Sequence, residues 1–160
     1  MSVNLSPDLA TARAKRINVR DKGRRGEQEV ATMLREAVSA AYEVLGREHE
    51  IEIKRNQMQT AGKHRDVGQG DIVGLEWLSI EVKRVENNLP SGIANWWEQC
   101  KRQADPLQDP VLFHRMNSQE WSVRTYVLTL VGATQIKLPV DMPWRIFRIW
   151  LIEQIKHRAG

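Results

Sequence analysis

The sequence predicts an α/β domain built around one central sheet, and three observations indicate this class. A long stretch from Gly26 carries apolar residues at helical spacing, and two short apolar runs around Gly74 have the pattern of a hairpin. Further helical and strand patterns alternate after the hairpin. In a chain of 160 residues that is 41% hydrophobic, this mixture fits one domain with its own core.

The first helix is predicted from Gly26 to Leu45. Its apolar residues recur at i, i+3, i+4 and i+7 from Val30 onwards, and Gly46 is an expected stop. Residues 50–55 alternate between polar and apolar and predict a strand. Residues 56–70 are polar, contain three glycines, and predict a loop.

The rest of the chain predicts a hairpin and then two more helices with two strands between them. Turn residues fill 87–92 and 117–118, and Asp141-Met142-Pro143 has the pattern of a helix start. The final helix is apolar around most of its circumference. The expected elements are the hairpin 71–84, a helix over 93–104, strands over 111–115 and 121–131, and a helix over 144–155.

The hairpin carries the residues of most chemical interest. Antiparallel pairing across a turn near residues 75–78 would put Asp71 opposite a position close to Val82. Glu81 and Lys83 lie two apart on a strand, so they share one face, whereas Val82 points to the other. Two carboxylates and an ammonium would therefore converge, in an arrangement suited to a hard divalent cation such as Mg²⁺.

A second acid–apolar–base triplet provides an internal comparison. Glu52-Ile53-Lys54 has no aspartate at hairpin distance upstream of it, unlike Glu81-Val82-Lys83. The alternative reading of either triplet is a strand with a surface salt bridge. The Gly70-Asp71 step and the apolar residues beside each acid favour a metal site over a salt bridge for Glu81-Val82-Lys83.

Glu27 is a further candidate, because it lies three residues before Val30 and seven before Leu34 and so projects from the buried stripe. An acid near a helix start could simply be favoured by the helix dipole. It could equally reach over the sheet towards Asp71 and Glu81.

Positive charge is concentrated at the start of the chain. The first 25 residues hold seven basic and two acidic side chains, a net charge of +5, whereas the remainder holds 17 basic and 18 acidic ones. We therefore expect a flexible basic arm over residues 1–22 and a single domain over residues 23–160. Such an arm suits a polyanion such as DNA, and the alternative is a solvated tail.

Several classes of protein are not expected. No apolar run reaches the length of a membrane span, and the N-terminus lacks the apolar core of a signal peptide. Cys100 is the single cysteine, which excludes an internal disulfide, and the four histidines show no ligand spacing. A cytoplasmic location is the expectation.

With these residues assembled, the chain resembles the PD-(D/E)XK nuclease superfamily. The helix acid Glu27, then Gly70-Asp71-Ile72-Val73-Gly74-Leu75, Glu81-Val82-Lys83-Arg84 and Trp96-Trp97-Glu98-Gln99 follow that family's order. Within it, the chain is most similar to Holliday junction resolvases and phage resolvase-like endonucleases, over residues 22–131. The family's motif proline is replaced by Gly70. The resemblance implies a restriction-endonuclease-like fold, with a central mixed sheet flanked by helices.

The resemblance also implies an activity and its residues. It implies a Mg²⁺-dependent endodeoxyribonuclease that leaves a 5′-phosphate, with Mn²⁺ as an expected substitute. Asp71, Glu81 and the Val82 carbonyl would hold the metal, with Glu27 binding directly or through water. Lys83 would position or activate the attacking water. Gln99 or Gln103 could contact the nucleophile or the DNA backbone, although surface polarity is an alternative for both.

Basic side chains before, beside and after these motifs are the expected DNA contacts. They are Arg13, Lys15, Arg16, Arg20, Lys22, Arg24, Arg25, Lys54, Arg55, Lys63, Arg65 and Arg84.

Three functions remain open at this point: a structure-selective endonuclease such as a Holliday junction resolvase, a nicking, repair or restriction-type nuclease on linear DNA, and a non-catalytic DNA-binding protein. The absence of a separate sequence-reading module favours shape recognition of branched DNA. A homodimer is expected, because a junction presents two symmetric strands. The apolar helix from Trp144 is a candidate interface, although it could instead be buried within one domain.

Overall fold

The computed structural model describes residues 7–56, 70–85 and 90–160, with the backbone alone for residues 7–20, 90 and 91. Three helices and six strands occur in these ranges. They are α1 (Pro7–Leu45), β1 (Lys54–Arg55), β2 (Ile72–Val73), β3 (Leu78–Val85), α2 (Pro90–Gln103), β4 (Asp109–Met116), β5 (Ser122–Val131), β6 (Thr134–Pro143) and α3 (Trp144–Ala159).

All six strands belong to one mixed sheet, in which the spatial order follows the chain from β1 to β6. β3 and β4 are parallel, and the other neighbours are antiparallel. A parallel pair needs a crossover, and α2 supplies it. The predicted α/β class, with a central mixed sheet flanked by helices, is therefore confirmed.

The helices divide between the two faces of the sheet. Val82 and Phe113 point into the larger apolar cluster with residues of α1 and α3, whereas Leu112 packs with Trp97 and Cys100 of α2. Since side chains alternate along a strand, Glu81 and Lys83 lie on the α2 face. All six tryptophans belong to or pack against these two clusters, so their first role is in packing.

Several element boundaries differ from the sequence predictions. α1 begins at Pro7 rather than Gly26, so residues 7–22 of the expected flexible arm continue the helix. The first strand is limited to Lys54–Arg55. Most of the expected loop over 56–70 and residues 87–89 of the expected turn lie outside the described residues, and α2 already begins at Pro90.

The sequence prediction missed β6. It pairs along its full length with β5 through a two-residue turn at Gly132, whose φ is 61°. Asp141-Met142-Pro143 is therefore the end of a strand and not the start of a helix, and α3 follows directly at Trp144.

The final helix is largely a core element. Phe147, Leu151 and Ile155 are buried in its own domain, while Ile146 and Ile149 are 49% and 60% exposed. Only the exposed part of the apolar surface predicted on this helix remains available to a partner. Within the described residues, no helix combines the length and apolarity that crossing a bilayer requires.

Candidate active site at the β2–β3 hairpin

The hairpin predicted from residues 71–84 is present, and backbone hydrogen bonds fix Asp71 at its open end. Ile72 pairs with Ile80 in antiparallel register, so Asp71 lies beside Glu81. The Asp71 N–H donates to the Ile80 carbonyl at 2.7 Å, and the Asp71 carbonyl accepts from the Asn56 N–H at 2.8 Å. The aspartate backbone is therefore held from both neighbouring strands.

Gly70 allows the chain to enter this position. A Cβ atom at residue 70 would lie 2.3 Å from the Ile80 carbonyl oxygen and 2.7 Å from the Ile80 nitrogen. The backbone of residue 70 thus packs directly against β3, and no side chain fits between them. This close approach explains why residue 70 is a glycine, at the position where the PD-(D/E)XK superfamily has its motif proline.

The two hairpin acids are buried although both carry ionisable groups. Asp71 is 3% exposed and Glu81 is 1% exposed. The Val82 N–H donates to Asp71 Oδ2 at 2.8 Å, so the aspartate carboxylate is turned towards β3. Buried carboxylates are costly unless they are hydrogen-bonded or bind a cation, which is the property expected of a metal site.

Glu81 is bounded by a base and an amide. Lys83 Nζ lies 2.9 Å from Glu81 Oε1, and Gln99 Nε2 on α2 lies 3.5 Å from the same oxygen. Lys83 keeps 23% of its side chain exposed, so its ammonium lies between the buried acid and solvent. Gln103, the other glutamine considered, has a buried Oε1 with no hydrogen-bond partner in the described part of the chain.

Cys100 lies behind these groups on α2. Burial raises the pKa of its thiol to about 12, with the negative charges of Glu81 and Asp71 adding to the shift and Lys83 opposing it. The thiol is thus close enough to feel all three hairpin side chains. It remains protonated at neutral pH, which makes it a packing residue and not a nucleophile.

Glu27 points into the protein, where its side chain is 15% exposed. Its Oε2 accepts from Arg55 Nε at 2.8 Å and Nη2 at 2.7 Å. Arg55 on β1 pairs with Ile72, the residue after Asp71. Glu27 is therefore linked to the hairpin through Arg55, and its role as a metal ligand remains a prediction.

Across the ranges 7–56, 70–85 and 90–160, no three His, Cys, Asp or Glu side chains form a group that could hold a metal ion. The described hairpin contributes two acids and backbone groups. A cavity of about 680 Å³ lies elsewhere, beside Trp77 at the opposite end of β3. Asp71, Glu81 and Lys83 do not line it, so this cavity is separate from the candidate site.

The predicted DNA contacts have different surroundings. Arg24 and Arg25 are exposed, Lys54 pairs with Glu52, Arg55 with Glu27, and Arg84 with Glu29. Lys63 and Arg65 lie outside the described residues, as do the side chains of Arg13, Lys15, Arg16 and Arg20.

Sequence reasoning missed a cluster on the other face of β3. Glu29 accepts hydrogen bonds from Arg84, from Arg115 on β4 and from the indole N–H of Trp121. The adjacent acid Glu27 was singled out by its spacing from the apolar stripe. Glu29 has no comparable signal in the sequence, because its partners Arg84, Arg115 and Trp121 come 55, 86 and 92 residues later in the chain.

Comparison with known proteins identifies a related family. The family model described as "Phage putative PDDEXK endonuclease" matches residues 18–149, which include every described residue of the hairpin site. No curated protein and no solved structure matches the chain.

We expect Gly70→Ala to destabilise the fold by about 2 kcal/mol or more, because its Cβ would meet the backbone of β3. Gly23→Ala is the matched control, since its Cβ meets nothing within 4 Å and alanine favours a helix by about 0.5–1 kcal/mol. Urea unfolding measures both. A Gly70→Ala protein as stable as Gly23→Ala would contradict the close approach.

Proposed function

Since the chain belongs to the phage PDDEXK endonuclease family, we propose that it is a divalent-metal-dependent DNA endonuclease whose preferred substrate is branched DNA, such as a Holliday junction. It would act where that DNA occurs, in the cytoplasm of a bacterial or phage-infected cell. The observation that carries the proposal is the pair of buried carboxylates, Asp71 and Glu81, beside Lys83.

The donors at the hairpin fit a hard cation. Asp71 and Glu81 offer carboxylate oxygens, which Mg²⁺ and Mn²⁺ prefer. The Val82 N–H donates to Asp71, and both backbone groups of a strand residue point to the same side, so the Val82 carbonyl points that way too. A cation between these oxygens would remove their mutual repulsion. Glu27 would act through water or through its arginine partner.

Residues of this chain would carry the remaining steps. Bound at the hairpin, a divalent cation would polarise the phosphodiester and stabilise its developing negative charge. Lys83 would hold the attacking water or a phosphate oxygen from the solvent side of Glu81. Gln99 would keep the Glu81 carboxylate oriented. Breaking the P–O3′ bond would leave a 5′-phosphate, and the basic residues of the N-terminal segment would bind the DNA backbone.

The preference for branched DNA rests on what the domain lacks in its described part. Three helices and one sheet leave no separate element for base readout, so recognition would depend on DNA shape and phosphate positions.

A cleavage assay with Mg²⁺ tests the proposed substrate, using a four-way junction, a nicked duplex, a flap and a plain duplex. We expect the junction to be cut fastest, and Asp71→Asn to abolish cleavage, because it removes the charge and keeps the shape. Equal rates on plain duplex would favour a nicking, repair or restriction-type nuclease. DNA binding without cleavage of any substrate would favour a non-catalytic protein. Full activity in Asp71→Asn would reject the site.

Metal binding has a test that does not depend on activity. Mg²⁺ or Mn²⁺ should raise the melting temperature of the wild type, by an amount equivalent to about 2.7 kcal/mol at a hundred times Kd. Asp71→Asn should melt higher than the wild type without metal, since a buried charge is removed, and should lose the metal response. Asp109→Asn, which alters a partly exposed ion pair with Lys137, is the control that keeps it. An unchanged response in Asp71→Asn would place the metal elsewhere.

The proposed homodimer is supported by exposed apolar residues on one side of the sheet. Val127 pairs with Leu138 and Thr125 with Val140 on the face that carries α3. Leu138 and Val140 remain 44% and 37% exposed, and Ile149 of α3 is 60% exposed. Apolar groups grouped in this way are typical of protein interfaces.

Sedimentation equilibrium at micromolar concentration tests the dimer. We expect twice the chain mass of 18.5 kDa for the wild type and the chain mass for Ile149→Glu, which puts a charge into the apolar surface. Val44→Glu, at a 68% exposed position on α1, is the control. A wild type that stays at 18.5 kDa would reject the dimer and weaken the resolvase assignment in favour of a nicking enzyme.

A further inference from the structure

Two acids near the middle of α1 reach opposite parts of the sheet. Glu27 and Glu29 are two residues apart, which is about 200° around a helix. Glu27 binds Arg55 on β1, whereas Glu29 binds Arg84 on β3 and Arg115 on β4. The first contact belongs to the hairpin site, and the second has no part in the mechanism above.

The Glu29 cluster contains more positive than negative charge. Arg84 and Arg115 are register partners on parallel strands, about 4.8 Å apart, and share one face. Their guanidinium groups converge on the single carboxylate of Glu29, with Arg84 Nη1 at 3.0 Å. Burial lowers the pKa of Arg115; Glu29 opposes this shift, and the charge of Arg84 adds to it.

The two arginines also have donors to spare. Within the described residues, the Nε atoms of both Arg84 and Arg115 are buried and have no hydrogen-bond partner. The Trp121 indole N–H competes for the same carboxylate at 3.3 Å. The single carboxylate of Glu29 therefore does not satisfy all the donors of the two guanidinium groups.

The cluster shares strand β3 with the candidate active site but lies on the other face of the sheet. Arg84 follows Lys83 on β3, one residue or about 3.3 Å further along the strand and on the opposite face. A cleft of about 400 Å³ opens beside it, lined by Gln28, Glu29, Thr32, Met33, Arg115 and Trp121.

The two arginine side chains are more enclosed than the acid that they bind. The Arg115 guanidinium lies 4.5 Å from the centre of the Trp121 ring, and the Arg84 Cβ would be 3.2 Å from a Cβ at Gly26. Their side chains are 17% and 21% exposed, but that of Glu29 is 39% exposed. An incoming anion could displace Glu29 towards solvent without moving the arginines.

We infer that Arg84 and Arg115 form a binding site for a DNA backbone phosphate on the α1 face of β3 and β4, and that Glu29 occupies this site in the protein without DNA. Guanidinium groups bind carboxylate and phosphate with the same paired hydrogen bonds, so Glu29 stands in for the phosphate. The inference rests on the proposed nuclease function and adds Arg115 and Glu29 to it.

The test is DNA affinity as a function of KCl concentration, measured by fluorescence anisotropy on a labelled junction with Ca²⁺ in place of Mg²⁺. Arg115→Gln should weaken binding about tenfold and reduce the salt slope by about 0.9, as expected for one lost phosphate contact. Glu29→Gln should tighten binding several-fold, because it removes the competing charge and leaves the arginines.

Matched controls separate this effect from a general loss of charge. Arg158 also stacks on a tryptophan, 3.8 Å from the centre of the Trp77 ring, but at the opposite end of β3. Arg158→Gln should change affinity and slope much less than Arg115→Gln. Glu153→Gln, on the exposed side of α3, is the control for Glu29→Gln.

The outcomes distinguish the inference from the proposed function. If the Arg115→Gln protein binds DNA with the same affinity and salt slope as the Arg158→Gln protein, the inference is overturned, because the cluster would then only hold α1 on the sheet. If Arg115→Gln does not fold, Glu29→Gln decides: tighter binding supports the site, and unchanged or weaker binding overturns it. A wild type that binds no DNA would reject the proposed function itself and the inference with it.

Discussion

The candidate site depends on the contact between the Gly70–Asp71 backbone and Ile80. This contact leaves no room for a side chain at residue 70 and fixes the register in which Asp71 lies beside Glu81. A shift of one residue would move every side chain of β3 to the other face. Glu81 and Lys83 would then point into the cluster under α1, and the carboxylates could not converge. The chemistry proposed for the hairpin is thus a consequence of one backbone packing constraint.

The same constraint concentrates charge that the fold must neutralise. Asp71 and Glu81 are almost fully buried, and Lys83, Gln99 and the Val82 N–H supply the described contacts that compensate them. Active sites often keep such unfavourable groups because their charges are needed there. The long helix α1 has a related role. It packs on one face of the sheet and binds arginines from β1, β3 and β4 through two acids.

The hairpin could be predicted from the sequence because its signal is local: two apolar runs, a short turn, and acids at strand spacing. The interior of α1 and the face of α3 were equally accessible through helical periodicity. β6 was missed although its sequence alternates, with Ile136, Leu138, Val140 and Met142 at every second position. Pro139 within this run argues against a strand, and none of its positions is fully buried. The early start of α1 was missed because residues 7–22 are mostly polar and basic. Glu29 and its partners are close only in the folded chain, so no short pattern records them.

The structure shows which face of the sheet each residue of Glu81-Val82-Lys83-Arg84 projects from, which the motif alone does not show. Alternation along β3 puts the acid and the lysine on the α2 face, and Val82 and Arg84 on the α1 face. One strand therefore supplies the groups of the proposed active site on one side and, together with β4, a guanidinium pair on the other. Because β3 and β4 are parallel, Arg84 and Arg115 reach the same end of the sheet as Lys83. If β4 ran antiparallel to β3, the start of β4 would lie at this end of β3 instead. The parallel pair, which the α2 crossover makes possible, thus puts the Glu29 cluster and the candidate site at the same end of β3, on opposite faces of the sheet.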